Sequence, residues 1–339
     1  TTAVGSASHS EGQNTKAIGD NSHAEGYNVV ANGVYASHAE GFNTTASTGY
    51  GDHAEGYSTT ALGGGSHAEG SKTTASGVNS HSEGRHTTAS GFYSHAEGSF
   101  TLASGKGSHA EGYTTVLTSI SAGGMGSHAE GYAKSTGVIK ADGKGAHAEG
   151  YANVGDSIVA SGKGSHAEGY ASAYDGGPLK IIASGLGAHA EGWARNAGNV
   201  EASGTASHAE GLSTTASGDY GPHSEGYQTV ASGNHSHSEG RSTTASGRSS
   251  HSEGENTTAE GNHSHAEGSS TSALTDNSHA EGSSTIANGQ DAHAEGTTTK
   301  AYSSAHSEGM QTTAYGTTSH AEGFSTTASG GSSHSEGHL

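Results

Sequence analysis

The tetrapeptide His-x-Glu-Gly, with Ala or Ser at x, occurs 22 times, from His9-Ser10-Glu11-Gly12 to His334-Ser335-Glu336-Gly337. Successive motif histidines stand 14, 15, 15, 14, 14, 14, 14, 19, 19, 19, 23, 19, 15, 14, 14, 14, 14, 14, 13, 14 and 14 residues apart. No single copy is large enough to bury a core, so copies of so short a unit must stack on one another. A regular copy such as 66–79 holds a finer period of seven, Ser/Thr-x-Ala-x-Gly followed by two variable residues. Each copy is therefore two half-turns.

Composition excludes the ordinary alternatives. Hydrophobic residues make up 29% of the chain, most of them Ala, and Gly numbers 58, so a conventional globular core is ruled out. Low hydrophobicity with a net charge of -20 would otherwise indicate disorder, but strict register over 22 copies argues for a packed array. The charge is itself part of the repeat: 22 of the 33 acids are motif glutamates, leaving 11 against 13 Lys+Arg. Without a basic stripe there is no case for nucleic-acid binding. No stretch has the apolar length of a membrane span, and the absence of Cys excludes disulfides and thiol chemistry.

The half-turns are expected to be strands. Gly every seven residues would cost a helix about 1 kcal/mol at each position, whereas in a strand residues two apart share a face. The small residues Ser/Thr, Ala and Gly then point into a narrow coil, and His with Glu, or Thr with Ser, points out. The predicted fold is all-β, a parallel β-roll or β-solenoid, with Gly serving the corners. At roughly 4.8 Å per coil the stack would make a rod on the order of 105 Å.

Three regions follow from copy length: regular coils over 1–112, expanded coils over 113–207, and regular coils again over 208–339. In the expanded coils the place of the first Thr of Thr-Thr-Ala is taken by Ile120, Ile139, Ile158, Ile181 and Val200, a predicted apolar ladder filling a wider coil. Each expanded coil begins with an aromatic, Tyr113, Tyr132, Tyr151, Tyr170 or Trp193, and a longer projection is expected over 174–179, where Asp175-Gly176-Gly177-Pro178 is turn chemistry. The chain ends at His338-Leu339 where Thr1-Thr2-Ala3 would continue the period, so head-to-tail stacking into a fibre, or a longer array of the same repeats, is expected.

The small-x-Ala-x-Gly half-turn with its period of 14 resembles the YadA-like head repeats of trimeric autotransporter adhesins, and similar repeats in phage tail fibres and surface fibres. The likeness covers nearly the whole chain. It implies a left-handed parallel roll, three of which pack side by side as a homotrimer. The family's small inward positions fall on Ser66, Ala68, Gly70, Thr73, Ala75 and Gly77, while the apolar pair used at the family's trimer contact falls on His67 and Glu69. The resemblance thus implies a polar trimer interface, carried by His67, Glu69, His81, Glu83, His95, Glu97, His109, Glu111 and their equivalents.

The functional expectation is a structural and adhesive fibre segment of a cell-surface or virion appendage, extracellular, with itself as first partner. A host-surface receptor or glycan would meet the aromatic series of the expanded coils, the segment unlike its neighbours. The alternative is an ice- or mineral-binding solenoid using the Thr-rich faces. No enzyme is expected, because a repeated ladder offers no distinctive pocket. No metal site or cofactor is expected either, because a His/Glu pair two residues apart lacks the third ligand of a closed site. A charged His/Glu ladder would hold Glu low and His high, placing maximum stability in mildly acidic solution.

Overall fold

The computed structural model describes residues 1–114, 120–173, 177–195 and 198–338. They form an all-β parallel solenoid in which long and short strands alternate and, within each of its units, strands pair with their equivalents in the next coil. Two compact units are present, Thr1–Lys180 and Ile181–Leu339. The division falls inside the expanded region, so compactness and coil length mark different boundaries.

One regular coil shows why the sequence folds this way. His67–Ser71 forms the long strand and Thr74–Ala75 the short one. Ser66, Ala68, Thr73 and Ala75 are buried between the two strands at 0–1% exposure, so the interior is filled by side chains of no more than three heavy atoms. His67, Glu69 and Thr74 alternate with them and lie half-buried on the outside. Register is strict: His67 sits over His81, Ala68 over Ser82, Glu69 over Glu83 and Gly70 over Gly84. A one-residue slip would drive imidazole and carboxylate into a space that holds alanine.

The corners differ from expectation. Left-handed backbone at each corner is adopted by the variable residues, such as Lys72 (φ 58°) and Asn79 (φ 52°), as single residues that Asn and Gly tolerate best. The motif glycine is not an inward residue: Gly70 is exposed and has φ +104°. Its requirement is close backbone approach, since a Cβ there would collide with the Gly84 carbonyl oxygen of the next coil. Gly77, by contrast, is buried. The second corner is tied by the serine before the motif, as where Ser94 Oγ donates to Gly91 O at 2.7 Å and Ser108 Oγ to Gly105 O at 2.8 Å.

In the expanded coils the long strand gains a residue, as in His128–Ala133 and His147–Ala152. Ile120 stands over Ile139 and Ile139 over Ile158 in the first unit, and Ile181 over Val200 in the second. All five are fully buried. On either side of the stretch where a projection is expected, Ala173 N and Leu179 N donate to the Asp156 carboxylate at 3.0 and 2.8 Å. Residues 174–176 lie outside the described residues. Among the described residues no helix is long and apolar enough to cross a membrane.

Candidate functional site: a ladder of imidazoles and carboxylates

The alternation that buries Ala68 leaves His67 and Glu69 side by side on the outer face, and the register repeats them coil after coil. The imidazoles stack: centroids are 4.8 Å apart for His67 on His81 and for His95 on His109, with the rings parallel to within 1°. Most of these side chains are roughly one-third exposed, 36% for His95 and 32% for Glu97. The named ladder residues of 67–111 lie in one such row.

From Glu97 to Glu149 each motif carboxylate faces two rings, whereas Glu11, Glu25, Glu40, Glu55 and Glu69 each meet the ring of their own coil. In the first unit Glu97 Oε2 is 4.0 Å from His95 Nε2 and Glu97 Oε1 is 3.6 Å from His109 Nε2. Glu111 spans His109 and His128 at 3.7 and 3.8 Å, and Glu130 spans His128 and His147 at 4.0 and 3.2 Å. The result is a zig-zag of alternating ring and carboxylate running along the coils. In the second unit, among the described residues, pairs from His208 to His306 are made within a coil, as at 3.8 Å for His208 with Glu210. The zig-zag returns at its end, where Glu322 Oε1 lies 3.6 Å from His334 Nε2. The Nε2 atoms of His95, His109 and His128 are shut off from solvent yet make no hydrogen bond, because each points between two oxygens and at neither.

At four rings and at Glu55 the electrostatics run against the expectation of a charged ladder. Burial, and next the neighbouring imidazoles, pushes His53, His128, His237 and His306 below the ordinary imidazole value. Glu55 is pushed up to about 7 by the hydrogen bond to the Glu69 carboxyl first, then by burial and the Glu40 carboxyl. Glu149 goes the other way: its hydrogen bond with Glu168 lowers it, burial opposes, and the bond to Glu130 and the facing His147 and His166 add to the lowering. Reading His and Glu only as a pair omitted the like neighbours above and below each group, which oppose charge on it.

A groove follows the Glu/Gly edge of this face. In the first unit it measures about 370 Å³ beside Glu40, Glu55 and Glu69, and in the second about 730 Å³ beside Glu295, Glu308, Glu322 and Glu336. Its floor is the glycine backbone that the close approach of coils makes obligatory.

The aromatic series makes its own columns. Tyr113, Tyr132, Tyr151 and Tyr170 stack at 5.7, 5.4 and 4.7 Å, with Tyr113 and Tyr170 exposed, and Tyr27, Phe42 and Tyr57 stack at 5.0 and 5.3 Å. Trp193 in the second unit is exposed and lies under the Arg195 guanidinium at 4.7 Å. On the opposite sheet the outward row runs Thr60, Thr74, Thr88, Leu102, Ser121, Lys140.

No protein-family model and no curated protein matches this chain. Function is therefore argued from the ladder itself. Two features of it escaped the sequence reading. One is the carboxylate bridging rings of successive coils, foreshadowed by the constant 14-residue offset. The other is the inward pairing of Ser at x with the Thr five residues on, as for Ser82 with Thr87 and Ser238 with Thr243, each at 2.8 Å.

Proposed function

We propose that the chain is a structural and adhesive fibre segment that assembles with copies of itself, as a homotrimer, through the His/Glu face, in a cell-surface or virion appendage. The observation that carries this reading is the state of that face: coil after coil presents a stacked ring and a carboxylate that in most coils are about two-thirds covered within one chain but not sealed. A second factor is the core, which is mostly Ala, Ser and Thr and so removes little apolar area from water per residue. Packing the ladder against two others would complete its burial and add hydrogen-bond partners. The exposed aromatic columns at Tyr113 to Tyr170 and at Trp193 are then the surface for a receptor or glycan, since stacked rings offer flat apolar faces to sugar rings.

The ice-binding alternative draws less support, because the outward Thr row is interrupted by Leu102 and Lys140. Sedimentation equilibrium decides the main reading. The expected mass is three chains at micromolar concentration, and Glu97→Lys with Glu111→Lys is expected to dissociate them. A folded monomer in the parent protein would remove the proposal.

A further inference from the structure

We propose that the zig-zag of the first unit binds divalent transition-metal ions of the Zn²⁺ class, each held by one imidazole Nε2 and by carboxylate oxygens of its own and the preceding coil. The sequence offers His and Glu only in twos; the register supplies the third ligand. Around His109 the donors are Glu97 Oε1 at 3.6 Å and Glu111 Oε2 at 3.7 Å. Around His147 they are Glu130 Oε1 at 3.2 Å and Glu149 Oε2 at 3.9 Å. With zinc–nitrogen and zinc–oxygen bonds of about 2.0–2.2 Å, the edges of a tetrahedral site are about 3.3–3.5 Å. Apart from His147 Nε2 to Glu130 Oε1, which at 3.2 Å is a hydrogen bond, these separations are too long for good hydrogen bonds, and all lie near what an ion between the donors requires.

The unpartnered Nε2 atoms are the second observation. Those of His95, His109 and His128 are inaccessible to solvent, make no hydrogen bond and lie between carboxylate oxygens of two coils. A neighbouring protomer meeting the face would reach ring edges and carboxylates, but not a nitrogen already covered by its own coils. Neutral imidazole with its proton on Nδ1 offers Nε2 as a ligand, and a mixed nitrogen and oxygen set suits zinc and its neighbours better than Mg²⁺ or Ca²⁺. Overlapping groups of two imidazoles and the carboxylate between them, with ligand atoms within 4.8 Å of one another, recur in sequence: His109, Glu111 and His128, then His128, Glu130 and His147. Because Glu111 turns one oxygen to each of two rings, it can bridge successive ions. Charge balance then limits filling to about one divalent ion for every two motif glutamates.

This inference does not depend on the trimer. The test is equilibrium dialysis of the EDTA-stripped full chain against ZnCl₂ with MgCl₂ in excess, bound metal being read by mass spectrometry. Several Zn²⁺ per chain are expected, held at least about tenfold more tightly than Mg²⁺. The triple variant His95→Gln, His109→Gln, His128→Gln keeps every glutamate, and it should lose bound Zn²⁺ while its circular dichroism in EDTA is unchanged. Equal Zn²⁺ binding by variant and parent, or Zn²⁺ bound no better than Mg²⁺, would overturn the proposal, since the acidic row alone would explain it. Should the variant fail to fold, Cu²⁺ paramagnetic resonance on the parent chain decides: nitrogen hyperfine structure is expected, and an all-oxygen spectrum refutes the site.

Discussion

At one inward station the regular coils carry threonine, Val29 apart, and the wide coils carry isoleucine or valine, and Thr73 and Ile139 are equally sealed at 0% exposure. The two solve the interior differently. Isoleucine fills the larger cross-section and has no polar group to satisfy. Threonine fits the narrow coil but brings a hydroxyl, and where the motif residue x is Ala, as before Thr44, Thr59 and Thr73, that hydroxyl is buried without a partner. Where x is Ser, it is answered: Ser224 with Thr229 and Ser252 with Thr257 bond at 2.8 and 2.7 Å. Thr101 and Thr326, which also follow an Ala at x, instead donate to the Glu97 and Glu322 carbonyls at 3.0 and 2.9 Å, so serine at x is one of two ways in which the buried hydroxyl is satisfied.

The largest expected effect is one the two kinds of coil should share. Both need glycine at the motif's last position, because Gly70 (φ +104°) and Gly150 (φ +125°) each press against the next coil's backbone. Gly70→Ala and Gly150→Ala should each cost on the order of 4 kcal/mol or more, at the top of the range for single substitutions. Local hydrogen exchange and denaturant midpoints measure this. A tolerated alanine at either position would show that coils can separate there.

The second prediction separates them. Ile139→Ala should cost about 2–5 kcal/mol through the cavity it leaves. Thr73→Ala should stay within about 1 kcal/mol of neutral, because losing a methyl group (about 0.8 kcal/mol) is offset by removing an unpaired hydroxyl. Equal costs at the two stations would mean that the coils are packed alike and the distinction has no energetic content.

How much of this was legible beforehand follows from what each residue makes visible. The period, the parallel stacking, the inward Ala, Ser and Thr and the positions of the five apolar ladder residues are statements about side-chain size at fixed spacing, which a sequence carries openly. The orientation of Gly70 was not legible, because glycine has no side chain to assign to a face and its φ is set by the approach of Gly84. The protonation trend was missed for another reason: pairing was read along the strand, while the groups that dominate His53, after its burial, are His67 and His38 above and below it. Asp156 gave no signal, since its partners Ala173 N and Leu179 N are backbone groups 17 and 23 residues away.

The third prediction sharpens the threonine side. Ala68→Ser would place a hydroxyl opposite Thr73, as Ser82 stands opposite Thr87, and should raise stability by about 1 kcal/mol. Ser238→Ala should lower it by a similar amount by stranding Thr243. Opposite signs in matched melting curves are required. Two losses would show that the narrow coil has no room at x and that Ser82 is accommodated by some local widening.

The smallest effect per residue concerns protons, and it again sets a regular coil against a wide one. Beside Glu55 the His53 ring is 3.8 Å away, and the Glu69 and Glu40 carboxyls hold Glu55 protonated up to about pH 7. Glu149 has His166 at 3.4 Å and His147 at 3.9 Å, accepts from neighbouring carboxyls, and is held below the ordinary value of 4.5. The signs follow from linkage. Glu55 stabilises the fold while protonated, so its contribution is whole below 4.5 and is lost as pH rises through about 7. Glu149 stabilises while ionised, so its contribution is whole above 4.5 and is lost as pH falls through its lowered value. His53 and His128, both lowered, contribute above 6.5 and lose that contribution as pH falls through their folded values, so the two regions agree for the rings and oppose for the carboxylates. Carboxyl ¹³C titration of the EDTA-treated protein, assigned by Glu55→Gln and Glu149→Gln, should give midpoints on opposite sides of 4.5. Coincident midpoints would mean that the cross-coil imidazole contacts do not distinguish the wide coils electrically, and that the ladder titrates as one uniform row.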